Sequence, residues 1–400
     1  MPQGLFGLQG WISVFFAQKP FYIYTLLIIH SKPYNMNRKY YLMRMLILLL
    51  VSMGFSLSAS AQVTNEDLLK NQEALLNEFR NLRHRLDVVE KSIDDIRWFD
   101  RVGDVAYIDK VFMAGPPPAG GENATTLPGR NPIKFWSYVF IPKDVDPDKK
   151  YPLIVLPHGG VHSDFNTYYT HIIRELMAQQ YIVVAPEFRG STGYGRGHYE
   201  LIDYGGLENE DTDVSRQYMI DNYPIVDKNR VGLMGWSHGG MISLMNAFER
   251  PRDYKCVFAG VPVSDLIFRI GYKRPSYEDY FSASYHIGQR IDEDMEEYRR
   301  RSPVAHVDKL EIPLLIHTNT IDEDVHYLEV LNLINALKAQ DKRFEYEIFE
   351  EIPGGHSFDR MDHSQGREIR YKIYKFLEKH LDPPRKFRNQ RDMERAAYRF

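Results

Sequence analysis

One pentapeptide, Gly235-Trp236-Ser237-His238-Gly239, followed by Gly240, has the form that presents a nucleophile. The apolar run Val231–Met234 leads in and the helix-compatible stretch Met241–Arg250 leads out, so Ser237 falls on a sharp strand-to-helix turn. Glycines on either side permit the strained backbone and close helix packing that such a turn requires. The next amide, that of His238, is placed to meet the oxygen of a carbonyl under attack. A glycine-rich turn with an incidental serine is the plain alternative, and the strand–turn–helix context argues against it.

A serine hydroxyl is a poor nucleophile until a base takes its proton, and that base needs an acid to orient it. For a serine on such a turn, acid and base follow in that order, on loops after later strands. After the run Pro313–His317 comes Thr318-Asn319-Thr320-Ile321-Asp322-Glu323-Asp324-Val325, in which Asp322 leads as the acid. Asp324 is the runner-up; a helix is expected to begin there, and aspartate suits an N-cap. After Phe344–Phe349 comes Pro353-Gly354-Gly355-His356-Ser357-Phe358, with His356 in a glycine-flanked loop. His363 and His380 fall on the following helical pattern and His317 within a strand, which suits a base less well. Upstream, His158-Gly159-Gly160 ends the run Pro152–Leu156, a turn whose amides at Gly159 or Gly160 can face a developing negative charge. There is no HExxH and no ligand spacing among the histidines, so neither a metal nor another cofactor is expected.

The elements that must position these residues alternate in type. Strands are expected at Val105–Ala114, Lys134–Pro142, Pro152–Leu156, Tyr181–Ala185, Val231–Met234, Cys256–Gly260, Pro313–His317 and Phe344–Phe349, with helices such as Asp324–Ala339 and Gly366–His380 between them. This alternation predicts an α/β fold, a mostly parallel sheet with helices on both faces. Before it, residues 64–98 read as one amphipathic helix. Leu75, Phe79, Leu82, Leu86, Val89, Ile93 and Ile96 alternate steps of four and three, about three heptads. An accessory helix packed on the body and an oligomerisation helix both fit that pattern.

The formal net charge of −4 gives no reason to expect nucleic acid as a partner. Cys256 is the single cysteine, so no intrachain disulfide forms, and its apolar surroundings suggest a buried structural thiol. From Met36, a basic stretch (Arg38, Lys39, Arg44), an apolar stretch (Met45–Phe55) and Ala59-Ser60-Ala61 form the three parts of a signal peptide. Export to the periplasm or exterior is expected, with the mature chain starting near Gln62 and no membrane span remaining. The expected organisation is an upstream extension at 1–35, a signal peptide at 36–61, the amphipathic helix at 62–100, a catalytic domain at 101–382 and a solvated charged tail at 383–400.

From about Tyr151 to Leu381 the chain resembles the prolyl oligopeptidase family of serine peptidases, which have the α/β-hydrolase fold. The resemblance rests on YPLIVLPHGG, FRGSTGYGRG, VDKNRVGLMGWSHGG, RSPVAHVDKL, IPLLIH, DEDV and PGGHSF, in that order. It implies Ser237 as nucleophile, Asp322 as acid and His356 as base, with amides near Gly159 or Gly160 and at His238 holding the oxyanion. It implies a peptide substrate cleaved through an acyl-enzyme. Residues 62–150 are too few for the β-propeller that such peptidases usually carry, so size selection does not carry over. Val161 replaces the proline of the usual HGGP. Thr318 replaces the glycine of the HG before the acid, with one extra residue before Asp322. Tyr194, Trp236 and Tyr272 are candidates to line the substrate pocket. A carboxylic ester is the alternative substrate for the same residues, and a non-catalytic scaffold built on the 64–98 helix is the alternative outside enzymes.

Overall fold

A computed structural model describes residues 43, 45–47, 64–118 and 131–397. Apart from Met43 and Met45–Ile47, which are helical, the signal-peptide segment and the upstream extension lie outside the described residues. Contacts divide the chain into two compact units, residues 1–75 and 76–400.

Helix α1 (Asn65–Val102) is the first long element among the described residues. Two long strands follow, β1 (Ala106–Gly115) and β2 (Ile133–Pro142). The alternation then runs β3 (Tyr151–Val155), α2 (Thr170–Ala178), β4 (Ile182–Glu187), α3 (Leu207–Asn222), β5 (Val226–Trp236), α4 (His238–Glu249) and β6 (Cys256–Gly260). It continues through α5 (Leu266–Tyr272), α6 (Pro275–Phe281), β7 (Leu314–Asn319), α7 (Tyr327–Ala339), β8 (Glu345–Phe349), α8 (Ser364–Leu381) and α9 (Gln390–Ala397). All eight strands join one sheet in the order β1-β2-β4-β3-β5-β6-β7-β8. The pairs β1–β2 and β2–β4 are antiparallel and the rest parallel. This is the α/β-hydrolase architecture.

The period of two along each central strand explains the layers. Leu153, Val155, Val231, Leu233, Val257, Ala259, Leu314 and Ile316 face one side, where α3, α4 and α7 cover them. Ile154, Leu156, Met234, Trp236, Cys256, Phe258 and Leu315 face the other, under α2, α8 and the end of α1. Both faces are buried, so these strands are apolar throughout instead of alternating with polar residues.

Two expectations need correction. Helix α7 starts at Tyr327, capped by His326, so Asp324 is not an N-cap. The segment after Pro383 is not simply solvated: it forms α9, packs against α2 and buries Met393. Helix α1 packs on the body through Lys91, Trp98 and Val102, and its apolar seam faces solvent.

Candidate active site

Strand β5, in the middle of the sheet, delivers Ser237 at its carboxyl end, and α4 begins at the next residue. Ser237 has φ 58° and ψ −122°, a conformation few non-glycine residues adopt and one held only where surroundings over-determine it. Its N–H donates to Gly260 O (2.9 Å) and its carbonyl accepts from Met241 N–H (3.0 Å). The flanking glycines follow from crowding. A Cβ on Gly235 would collide with the Gly239 carbonyl, and one on Gly239 with the Pro157 carbonyl of the oxyanion turn. A side chain at Gly239 would drive the elbow away from the turn after β3, and one at Gly235 would push the first turn of α4 off β5.

Asp322 and His356 sit on the loops after β7 and β8. His356 Nδ1 lies 2.8 Å from Asp322 Oδ2 and 3.0 Å from Oδ1. An ionised carboxylate only accepts, so Nδ1 carries the proton and Nε2 keeps its lone pair. Asp322 Oδ1 also accepts the N–H groups of Asp324 and Val325 (2.8 Å each), which fixes the carboxylate. The imidazole retains 15% of its side-chain exposure whereas the carboxylate has none, so the ring is reachable and the carboxylate that orients it is dry. Asp324, the runner-up acid, lies on the opposite side of the ring, 3.8 Å from Nε2, and is occupied by Arg269 (3.1 Å) and Lys273 (2.8 Å).

Sequence reasoning missed the groups that hold the histidine loop. Glu323 accepts the N–H of His356 (2.9 Å), and Asn319 Nδ2 donates to Ile352 O (2.8 Å) and Gly355 O (3.2 Å). Arg360 donates to the His356 carbonyl and lies over the Trp236 ring. Trp236 Nε1 donates to Asp359 (2.7 Å), which joins the residue before Ser237 to the loop carrying His356. Among the described residues no hydrogen bond links Ser237 Oγ to His356 Nε2; free enzymes often tighten that contact only when substrate binds. Acidic residues clustered at 322–324 were the only sign in the sequence of this scaffolding.

The Gly159–Gly160 turn lies against the serine. A Cβ on Gly159 would come 3.4 Å from Ser237 Cβ. The Tyr169 hydroxyl meets both the Gly159 backbone and Arg360, and burial pushes its pKa up. Gly160 follows in the left-handed region at φ +74°. The amide of His238 opens α4 and has no protein acceptor among the described residues, as expected for the first turn of a helix.

The pocket candidates separate. Tyr272 lines a cavity of about 450 Å³ together with Lys273, Arg274, Tyr277, Tyr280 and Asp322, beside the acid loop. Trp236 is wholly buried in the core, so it supports the site and does not line it. Tyr194 packs under Lys110, 4.9 Å from ring centroid to Nζ, with its hydroxyl buried; it belongs to the layer beneath the oxyanion turn. Among the described residues no group of three or more potential ligands could hold a metal ion.

The chain is similar to dipeptidyl peptidase 8 of Homo sapiens, 27% identical over 250 residues that cover 57% of this chain and 27% of the relative. It is also similar to an uncharacterized peptidase of Bacillus subtilis, 28% identical over 243 residues, 60% of this chain and 36% of the relative. The chain thus spans roughly a quarter to a third of the length of these curated relatives. Among solved structures, the acylaminoacyl peptidase of Pyrococcus horikoshii superposes with a TM-score of 0.58 at 20% identity, covering 72% of this chain and 44% of that one. That likeness carries the fold. Residues 167–384 match the model of the prolyl oligopeptidase family, a span of more than half the chain that holds Ser237, Asp322 and His356 in sequence, and the chain belongs to that family.

Proposed function

We propose that the protein is a serine peptidase that cleaves peptide bonds through an acyl-enzyme at Ser237. The observation that carries this reading is the Asp322–His356 pair, with hydrogen bonds of 2.8 and 3.0 Å at Nδ1 and Nε2 left as the base, beside a serine held at φ 58°. Ser237 Oγ attacks the acyl carbon while His356 Nε2 takes its proton. Asp322 stabilises the imidazolium without becoming protonated. The amide of His238 and one on the Gly159–Gly160 turn receive the negative charge of the tetrahedral intermediate. His356 then returns the proton to the departing amine, and a water activated by the same nitrogen hydrolyses the ester formed on Ser237.

Family membership supports an amide as substrate, and no residue of the site favours an ester. Purified protein tested on matched peptide anilides and acyl esters should turn over the anilide, and ester turnover alone would overturn the peptidase reading. A fluorophosphonate probe should label wild type and fail to label Ser237→Ala; a folded wild type that stays unlabelled would remove the enzyme reading altogether. We propose in addition that the chain is exported, on the strength of the three-part segment at 36–61. Amino-terminal sequencing of protein recovered outside the cytoplasm should begin near Gln62, and a chain retained inside the cell with that segment intact would contradict it.

A further inference from the structure

From residue 76 onward, α1 turns its polar face to the catalytic body. Lys91 is 3% exposed and its ammonium reaches Glu187 (2.8 Å) and Asp164 (2.9 Å). Asp94 accepts the N–H of Thr167 (3.0 Å), and Lys110 pairs with Asp95 (2.6 Å). Trp98 and Val102 complete the contact. The opposite face carries Phe79, Leu82, Leu86, Val89, Ile93 and Ile96, each between 50% and 72% exposed. Seventeen residue steps at 1.5 Å make this stripe about 26 Å long. A contiguous apolar strip of that length, rimmed by charge, marks an interaction site.

The strip is self-complementary. Phe79, Leu86 and Ile93 occupy one core position of a heptad repeat, and Leu82, Val89 and Ile96 the other. The positions flanking this seam hold Glu78 and Arg85 on one side and Arg83 and Glu90 on the other. In a parallel, in-register pair of helices, each residue on the first flank meets the residue five positions later on the second flank of its neighbour. Glu78 then faces Arg83 of the second copy, and Arg85 faces Glu90. Both contacts join opposite charges, and symmetry makes four. All four side chains are exposed. None has an ion-pair partner on its own chain among the described residues, whereas Lys91 and Lys110 on the body side do.

We propose that this face is a dimerisation surface on which two copies of the chain join through a parallel two-stranded coiled coil over residues 78–96. The body covers the polar side of each helix and leaves the seam and its charged flanks for a neighbour. A lipid surface fits less well, since Glu78 and Glu90 flank the strip where anionic headgroups would lie. The proposal is independent of the catalytic reading.

Light scattering on the full chain at micromolar concentration should give two chain masses. Leu82→Glu with Leu86→Glu should give one, with the near-ultraviolet circular dichroism of the wild type, because both side chains are exposed in the single chain. Arg83→Glu with Arg85→Glu turns every flanking contact repulsive, as does Glu78→Arg with Glu90→Arg. Each pair should weaken association at least about tenfold. Mixing the two variants should restore a one-to-one dimer. Leu82→Cys should form an interchain disulfide on mild oxidation, because equal positions face each other only when the helices run in the same direction. A wild type that is monomeric at tens of micromolar, a mass of three chains, a dimer indifferent to these substitutions or a Leu82→Cys dimer that fails to cross-link would each overturn the proposal, as would a monomer that binds anionic vesicles through this strip.

Discussion

Ser191, His158 and Glu187 form a second grouping of serine, histidine and acid, and it differs instructively from Ser237, His356 and Asp322. In the second grouping, Ser191 Oγ lies 2.8 Å from His158 Nε2, and Glu187 Oε2 lies 3.7 Å from that same nitrogen. His158 Nδ1 is spent on the carbonyl of Gly159 (2.9 Å). At His158 no carboxylate holds Nδ1 and the alcohol and acid both lie on the Nε2 side, whereas at His356 Asp322 holds Nδ1, and Asp324, 3.8 Å from Nε2, is taken up by Arg269 and Lys273. Burial separates them further. His158 has no exposure, and desolvation pushes its pKa down to about 4, so it stays neutral and props the oxyanion turn. Contact among the three residue types does not make a triad. What makes one is which nitrogen each partner uses, and whether solvent and substrate can reach the ring.

The largest break in this comparison is Ser237→Ala, which should lower amide turnover by about 10⁴- to 10⁶-fold with an unchanged unfolding curve. Asp322→Asn comes next, expected to cost about 10⁴-fold through the wrong imidazole tautomer. Asp324→Asn, on a residue already held by Arg269 and Lys273, should cost less than about tenfold. Steady-state kinetics on one anilide would rank all three; equal losses at 322 and 324 would refute the assignment of the acid.

Beneath the oxyanion turn the expected effects are on stability. Burial pushes Glu187 up to about 7 despite the attraction of Lys91. Lys91→Met should destabilise by about 3–5 kcal/mol at pH 8, where the carboxylate is charged and loses its main partner. The loss should shrink at pH 5, where the protonated acid no longer needs a cation, and denaturant titrations at the two pH values would measure the difference. Buried histidines add a broader trend. Desolvation holds His158, His162, His171 and His198 near 4 and His286 and His317 near 3, while the unfolded chain takes up protons below about 6.5. The unfolded state then binds more protons, so stability should fall as pH drops from about 6.5 toward 4. Glu187 opposes this between about 4.5 and 7, and burial also raises Glu175, Asp211, Glu329 and Asp359, which oppose it above their ordinary values, five groups against six. A melting temperature that rises on acidification would contradict it. The smallest effect belongs to Ser191→Ala: about 1–3 kcal/mol of stability from the broken buried contact, with turnover kept within about tenfold. A catalytic loss matching Ser237→Ala would erase the distinction drawn above.

What could be read from the sequence was what a local pattern dictates. Val231–Met234, the glycines around Ser237 and the order of acid and histidine pointed to the residues that the structure brings to the candidate site, because strand, elbow and loop each leave a short signature. The strands came within a few residues for the same reason, although β5 begins five residues early, at Val226. Long-range partners left no trace. Nothing near Lys91 indicates that it crosses to Glu187 and Asp164, and nothing near Arg360 indicates that it reaches the carbonyl of His356. The heptad in α1 was visible but not its direction, since a polar face that matches buried carboxylates can dock as readily as an apolar one. Trp236 was misread because a residue beside the nucleophile can point into the core.

Trp98 lies at the seat of α1 with no exposure, stacked on Phe165 at 5.5 Å and 7° and edge-on to Phe140 at 5.0 Å. Its indole therefore emits from an environment without water for as long as the helix stays docked. Lifting the helix would shift that component of the emission to longer wavelength, beside the contributions of Trp136 and Trp236 in the sheet. The chain thus carries an optical gauge of amino-terminal detachment, readable without any label.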